Sequence, residues 1–291
     1  SGMKRASDAL ALARASDSPA TTSAQAPPAA PLAAPLVLVE PDLLPGGADM
    51  GNCVHELLEH LDLAQVAGDA AAWAARPEVQ ELTRRAAVKS GVATRHGELV
   101  AALAHRALTT PLSLAHGALL PGVASLGAHA LRELEFTYPI PERDHPPLLP
   151  AGGVELTIER GWIRGYMDLV FRHDGRGYVA DWKTNRLADY APARLRDLVA
   201  ADYDLQRKIY ALALSKMLGV STPEEHEARF GGVLFLFLRG LRAPTTPGVE
   251  GDGPGVVFDR PGFDDLKRFE HDLRDFPAYR HGWDPAWTEE A

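Results

Sequence analysis

Asp181 and Lys183 stand two residues apart in DWKTN, directly after the apolar-leaning run GYVA. Asp168 stands thirteen residues earlier, inside a second apolar run, GYMDLVF. A buried carboxylate is costly unless something compensates its charge. Acids in two strand-like runs therefore call for a partner. Between the runs lies Asp174–Gly175, a strong signal for a two-residue hairpin turn. If those residues form the turn, 173 faces 176 and, continuing outward, 168 faces 181. The two acids are then directly opposed, with Cβ atoms roughly 5 Å apart. A longer loop through Gly177 would instead set Asp168 opposite Lys183. In either register the three groups share one patch, because period two puts Asp181 and Lys183 on one strand face.

Opposed carboxylates repel, and a divalent cation relieves both the repulsion and the burial. Oxygen ligands select Mg²⁺, Mn²⁺ or Ca²⁺ over zinc. An ion-pair cluster of Lys183 with two surface acids has the same spacing, so spacing alone leaves both readings open. His55, at the start of a first helix, is a candidate third ligand or a solvated helix histidine. Its neighbours Glu56 and Glu59 read as solvated. Glu133 and Glu135 share one face of an early strand, where an acid would support the site, hold a second ion or simply face solvent. Gln206 and Tyr210, four apart, share a helix face.

The elements that must position these groups follow from periodicity. Asp49 is a candidate cap for a helix from about Gly51, with Leu57, Leu58 and Leu61 as its apolar stripe. Residues 77–90 and 94–108 read as two more helices, and 109–127 as an apolar, loop-rich segment. Strands are expected at 131–140, 154–159, 162–171, 177–183 and 231–240. Residues 193–218 suit one helix or a broken pair, and 262–276 a closing helix. A helical part thus precedes an α/β core.

The 291 residues suffice for one large domain or two small ones. The single cysteine, Cys53, excludes an internal disulfide scaffold and a thiolate-only metal site, and it reads as a buried thiol. A net charge of −9 argues against a broad nonspecific nucleic-acid surface. A local basic channel remains open, since Arg164, Arg172, Arg176, Arg186, Arg194, Arg196 and Arg207 cluster around the motifs. Residues 1–36, rich in Ala, Pro, Ser and Thr, read as a disordered tail or interdomain linker that opens on a short expression scar at 1–2 or 1–3. No run is long enough to span a membrane, and no GxxxxGK[ST] phosphate loop occurs.

Taken together, GNCVHELLEHLD, GYMDLVF, DWKTN, YDLQRKIYALAL and FGGVLFLFLRG resemble the RecB-type branch of the PD-(D/E)xK nucleases, from about Gly46 to Arg239. Within that branch they resemble the C-terminal nuclease domains of exodeoxyribonuclease V beta subunits. It implies a restriction-endonuclease-like α/β core: a mixed central sheet flanked by helices, about 131–276, behind a helical part at 48–108. Residues 37–291 would form one nuclease domain. The resemblance assigns metal ligation to His55, Asp168, Asp181 and the Trp182 backbone carbonyl, where the family more usually has tyrosine. It assigns catalytic roles to Asp168, Asp181, Lys183 and Glu133, with Glu135 the alternative to Glu133. Gln206 and Tyr210 match a motif beside the DNA path. It further implies Mg²⁺, with Mn²⁺ or Ca²⁺ able to take the site, and exo- and endonucleolytic cleavage of mainly single-stranded DNA. The setting would be a helicase–nuclease repair complex with RecC- and RecD-like subunits in the bacterial cytoplasm, the chain's own helicase region lying elsewhere. A silent DNA-binding or assembly module is the alternative. Relatives that hold an iron–sulfur cluster need several cysteines and fit less well.

Overall fold

The computed structural model describes residues 43–139, 162–244 and 253–274. The strand expected at 154–159, the linker at 1–36 and the last residues of the closing helix lie outside these. Helix α1 spans Ala48–His60, followed by α2 (Ala70–Ala74), α3 (Pro77–Lys89) and α4 (Gly97–Thr109). Two two-residue strands, β1 (Leu112–Ser113) and β2 (Leu119–Leu120), pair within the apolar segment that the sequence suggested was loop. The main sheet comprises β3 (Ala130–Pro139), β4 (Trp162–His173), β5 (Arg176–Lys183), β6 (Phe230–Phe237) and β7 (Val256–Asp259), in that spatial order. Helices α5 (Pro192–Asp202), α6 (Asp204–Met217) and α7 (Pro223–Arg229) connect β5 to β6, and α8 spans Phe263–Arg274. No helix among the described residues is long and apolar enough to cross a membrane.

The β4–β5 hairpin forms in the tighter of the two expected registers. Asp174 (φ 47) and Gly175 (φ 77) both take positive φ, as the mirror-image two-residue turn requires. His173 pairs with Arg176, and the ladder continues to Leu169 opposite Ala180. The recorded pairing ends there, one step short of Asp168 and Asp181. β3, β4 and β5 are antiparallel, β5 and β6 parallel, and β6 and β7 antiparallel, so the sheet is mixed. The parallel pair needs a long crossover, which α5–α7 supply.

Alternation along the strands divides the core into two layers. Leu169, Phe171, Tyr178, Ala180, Trp182, Leu234 and Leu236 pack with Cys53, Leu57, Leu58, Leu103 and Leu108 of the early helices. Val170, Val179, Val233, Phe235 and Phe237 pack with Leu195, Ile209, Leu212, Leu266 and Phe269 of α5, α6 and α8. Each strand thus serves two helical layers, the architecture expected from its near-continuous apolar character. Cys53 lies wholly within the first layer, and burial pushes its thiol up to about 11.

Several local expectations change. α1 begins one turn earlier than expected, with Gly47 (φ 111) as its N-cap, so Asp49 sits inside the first turn and offsets the helix dipole instead of capping. The 193–218 segment is a broken pair: Tyr203 leaves the helical region at φ −126, ψ 10 and separates α5 from α6. α2, α7 and β7 have no clear counterpart in the periodicity, being short elements held by tertiary contacts.

Candidate active site

At the open end of the β4–β5 hairpin, groups from α1, β3, β4, β5 and α6 converge. Asp168 and Asp181 are each 3 % exposed and Lys183 is 7 % exposed. The Trp182 amide N–H donates to Asp168 Oδ2 at 2.8 Å, so β5 itself holds the β4 carboxylate. Trp182 turns its indole into the early-helix layer and leaves its carbonyl to His55, whose Nε2 lies 2.9 Å away. The other ring nitrogen, Nδ1, lies 3.5 Å from Asp168 Oδ2. One imidazole thus spans both strands of the hairpin.

Glu133 joins this group from β3. His55, Glu133 and Asp168 each offer a ligand atom within 4.8 Å of the others. The β3–β4 ladder steps from Arg132↔Leu169 to Leu134↔Met167, and the skipped position sets Glu133 opposite Asp168. There Glu133 takes φ 48, a left-handed conformation uncommon for a side-chain-bearing residue and unusual inside a strand. On the far side of this step the strands exchange faces. Leu169 and Phe171 pack on the early helices, whereas Met167 and Ile163, of the same parity, pack on the opposite layer with Leu134 and Phe136. Glu135 lies elsewhere, on an exposed strand face, ion-paired with Arg164 at 2.5 Å. The Arg164 hydrogen bond holds the Glu135 carboxyl below its usual range.

Asp181 and Lys183 form a second, adjoining cluster. Lys183 Nζ is 2.7 Å from Asp181 Oδ2 and 3.1 Å from Gln206 Oε1. Gln206 Nε2 donates to Asp181 Oδ1 at 2.9 Å. An ammonium only donates and a carboxylate only accepts, which fixes the glutamine amide one way round. The Tyr210 hydroxyl donates to the Tyr166 carbonyl at 2.7 Å and lies 3.3 Å from Asp181 Oδ1. The Lys183 ammonium also lies 4.0 Å from the centroid of the Tyr203 ring, at the break between α5 and α6. Burial pushes the Asp181 carboxyl up, against the pull of Lys183 and with a further push from Asp168. Burial would lower Lys183, but its neighbours, Asp181 foremost, hold it above its usual value.

The local charge bears directly on metal binding. Among the described residues, the carboxyl groups of Glu133, Asp168 and Asp181 converge with the Lys183 amine at a largely buried spot. Acids gathered this closely favour a cation beside them. The oxygen-rich donors with one imidazole suit a hard divalent ion. His55 Nε2 stands 2.9 Å from the Trp182 carbonyl oxygen, a hydrogen-bond distance that sets an imidazole and a carbonyl donor side by side next to Asp168. The residues present therefore fit a divalent metal.

The arginines expected around the motifs are dispersed. Arg172 and Arg176 sit at the hairpin turn, four or five residues from the acids and roughly 15 Å away along the strands. Arg164 pairs with Glu135, and Arg207 with Asp204 and Asp259 at 2.6 and 2.7 Å. Arg186, Arg194 and Arg196 remain exposed, on the loop after β5 and on α5. Arg239 is a residue that sequence reasoning passed over. It closes the quoted run FGGVLFLFLR yet is 2 % exposed, and only its apolar setting in the sequence hinted that it is buried.

Residues 33–285 match the family model for the PD-(D/E)XK nuclease superfamily. The chain is similar to RecBCD enzyme subunit RecB of Escherichia coli K12, with 31 % identity over 220 residues, covering 69 % of this chain and 17 % of that protein. It is similar to the same subunit of Mycobacterium tuberculosis, with 33 % identity over 253 residues, 73 % of this chain and 22 % of that protein. A shorter match, to RecB of Haemophilus influenzae, reaches 41 % identity over 114 residues, 37 % of this chain and 9 % of that protein. The chain thus spans less than a quarter of the length of each of these relatives. With its mixed five-stranded sheet between helical layers, this chain belongs to the PD-(D/E)XK nuclease superfamily, and its likeness within it is to the RecB subunits.

Proposed function

We propose that the chain is a Mg²⁺-dependent deoxyribonuclease module that hydrolyses phosphodiester bonds, preferentially in single-stranded DNA. The observation that carries this reading is the span of His55 across the hairpin, with Nδ1 at Asp168 and Nε2 at the Trp182 carbonyl, beside the Asp181–Lys183 pair. His55, Asp168, Asp181 and the Trp182 carbonyl would hold the ion, with Glu133 as a further ligand or the holder of a water. A divalent ion so held supplies Lewis-acid charge for the phosphate oxygens and lowers the pKa of a bound water.

The chain's own groups do the rest. Lys183 neutralises developing phosphate charge and orients a water, and the acids beside it, which hold its pKa up, favour that role over one as base. Gln206 locks Asp181 and Lys183 in one mutual orientation, and Tyr210 anchors that helix to the Tyr166 carbonyl. Tyr210 is 3 % exposed, so any influence of Tyr210 on DNA runs through Asp181 and Gln206. The exposed Arg186, Arg194 and Arg196 are the candidates for phosphate contacts.

By the same likeness, the module would work beside a helicase region and RecC- and RecD-like subunits in the bacterial cytoplasm. The test is incubation with end-labelled single- and double-stranded DNA, with Mg²⁺ and then with EDTA. Metal-dependent shortening of the single strand is expected. Intact DNA under every metal condition, with binding retained, would instead identify a silent DNA-binding module.

A further inference from the structure

We propose that Arg239 is a positioning residue, fixing His55 against the Trp182 carbonyl by tying the start of α1 to the end of β5. The proposal rests on the metal centre read above. Its guanidinium is enclosed, and each nitrogen donates to a different main-chain oxygen. Nε reaches the Thr184 carbonyl at 2.8 Å, Nη1 that of Leu44 at 2.7 Å, and Nη2 that of Pro45 at 2.6 Å. Thr184 directly follows Lys183. Leu44 and Pro45 lead through Gly47 into α1, on which His55 sits two turns further. One planar fork therefore closes a circuit from Trp182 through Thr184, Arg239, Leu44 and α1 to His55 and back to Trp182. The Leu238 amide adds a bond to the Lys183 carbonyl at 2.9 Å, which holds Arg239 at the same strand end.

The chemistry requires arginine. Three carbonyls from two segments need donors in one plane at fixed angles, and a lysine ammonium offers a single flexible point. The far end of α1 is gripped similarly: Arg132, next to Glu133, donates to the carbonyls of Leu58, at 3.3 Å, and Leu61. Such bonds also satisfy carbonyls left open at a helix C-terminus. α1 is thus gripped at both ends, by Arg132 of β3 and by Arg239 just beyond β6, and the Arg239 fork also reaches Thr184, directly after β5.

The test compares wild type, Arg239→Lys, His55→Ala and the double variant, using Mn²⁺ binding by calorimetry and the imidazole NMR resonances of His55, His105 and His226. Pro45→Gly, at an exposed position, loosens the same tether should Arg239→Lys not fold, and Leu103→Ala in α4 supplies a destabilised control away from the site. Groups that orient metal ligands typically contribute about 10- to 100-fold in affinity. Arg239→Lys is expected to weaken Mn²⁺ binding by about that factor. It should also shift the His55 resonances and leave those of His105 and His226 in place. In the His55→Ala background its further effect should stay below about threefold, because the ligand it positions is gone. Pro45→Gly should act in the same direction, and Leu103→Ala should move neither readout.

Unchanged Mn²⁺ affinity and unchanged His55 resonances in Arg239→Lys, or in Pro45→Gly if the former does not fold, overturn the proposal. An equal loss of affinity with and without His55 overturns it as well. Wild type that binds Mn²⁺ yet cuts no DNA defeats the nuclease reading and leaves this inference standing. Wild type that binds no Mn²⁺ defeats the metal reading, and the His55 resonances then decide the positioning role.

Discussion

Glu133 and Asp168 face each other across β3 and β4 at the step their ladder skips, and at that step both strands change the face they present to the core. The left-handed backbone of Glu133 (φ 48) lets β3 reverse its alternation without gaining or losing a residue. The same twist brings Glu133 to His55 and Asp168 and leaves Glu135, two residues on, at the surface.

Positive φ at Glu133 predicts an inverted order of substitutions. Glu133→Gly should be more stable than Glu133→Ala by about 1 kcal/mol, since only glycine takes φ 48 without strain. Urea denaturation in EDTA measures it. Alanine equal to or more stable than glycine would contradict the left-handed backbone.

Lys183 and Asp181 should couple strongly. Removing one partner of a buried ion pair leaves the other uncompensated, which typically costs about 3–5 kcal/mol. Lys183→Ala and Asp181→Ala should each reduce stability in EDTA, and the double variant should lose less than the sum. Under the proposed function each single variant also cuts single-stranded DNA slower by about 10²- to 10⁴-fold. A variant with wild-type cleavage in Mg²⁺ would remove its residue from the centre.

Divalent ions should stabilise the fold. A ligand at 100 times its dissociation constant adds about 2.7 kcal/mol, so Mg²⁺ or Mn²⁺ should raise the melting temperature by several degrees. Asp168→Ala should abolish the rise and His55→Ala reduce it. Scanning calorimetry with and without EDTA checks this, and an equal rise in Asp168→Ala would place the ion elsewhere.

Acidification should weaken the fold above the range where carboxylates titrate. Burial lowers both His105 and His226, whose Nε2 atoms bond the Gly68 and Pro261 carbonyls at 3.1 Å. A histidine lowered in the folded state binds fewer protons there than in the unfolded chain, where its pKa is about 6.5. Stability is therefore full above that value and falls as pH drops below it, toward the folded values. Denaturation midpoints at pH 7.5, 6.5 and 5.5 should decline in wild type and flatten in His105→Gln/His226→Gln. A flat wild-type profile would show that neither histidine is held neutral by the fold.

Much of this arrangement is legible in local chemistry. Asp174–Gly175 dictates a mirror-image turn, the turn dictates the pairing of residues 173 and 176, and the ladder carries that register outward as far as Leu169 opposite Ala180, next to Asp168 and Asp181. The apolar stripe of α1 predicts which of its faces is buried, and Leu57, Leu58 and Leu61 are buried. These relations involve neighbours a few residues or one hairpin apart, where backbone geometry leaves little freedom. Short elements such as α7 and β7 carry too few residues for a period to register.

From the sequence alone came the donor types, the opposed acids and the order of helices and strands, because turn chemistry and alternation act through the chain itself. Tertiary packing decided which glutamate faces the acids, that neighbouring acids hold Lys183 above its usual value, and which arginines are tied up in ion pairs. It also decided that a buried guanidinium joins the start of α1 to the end of β5. Those outcomes depend on contacts between segments separated by 29 residues (Arg164 and Glu135) to 195 (Arg239 and Leu44), and on the desolvation and charge that only their packing creates.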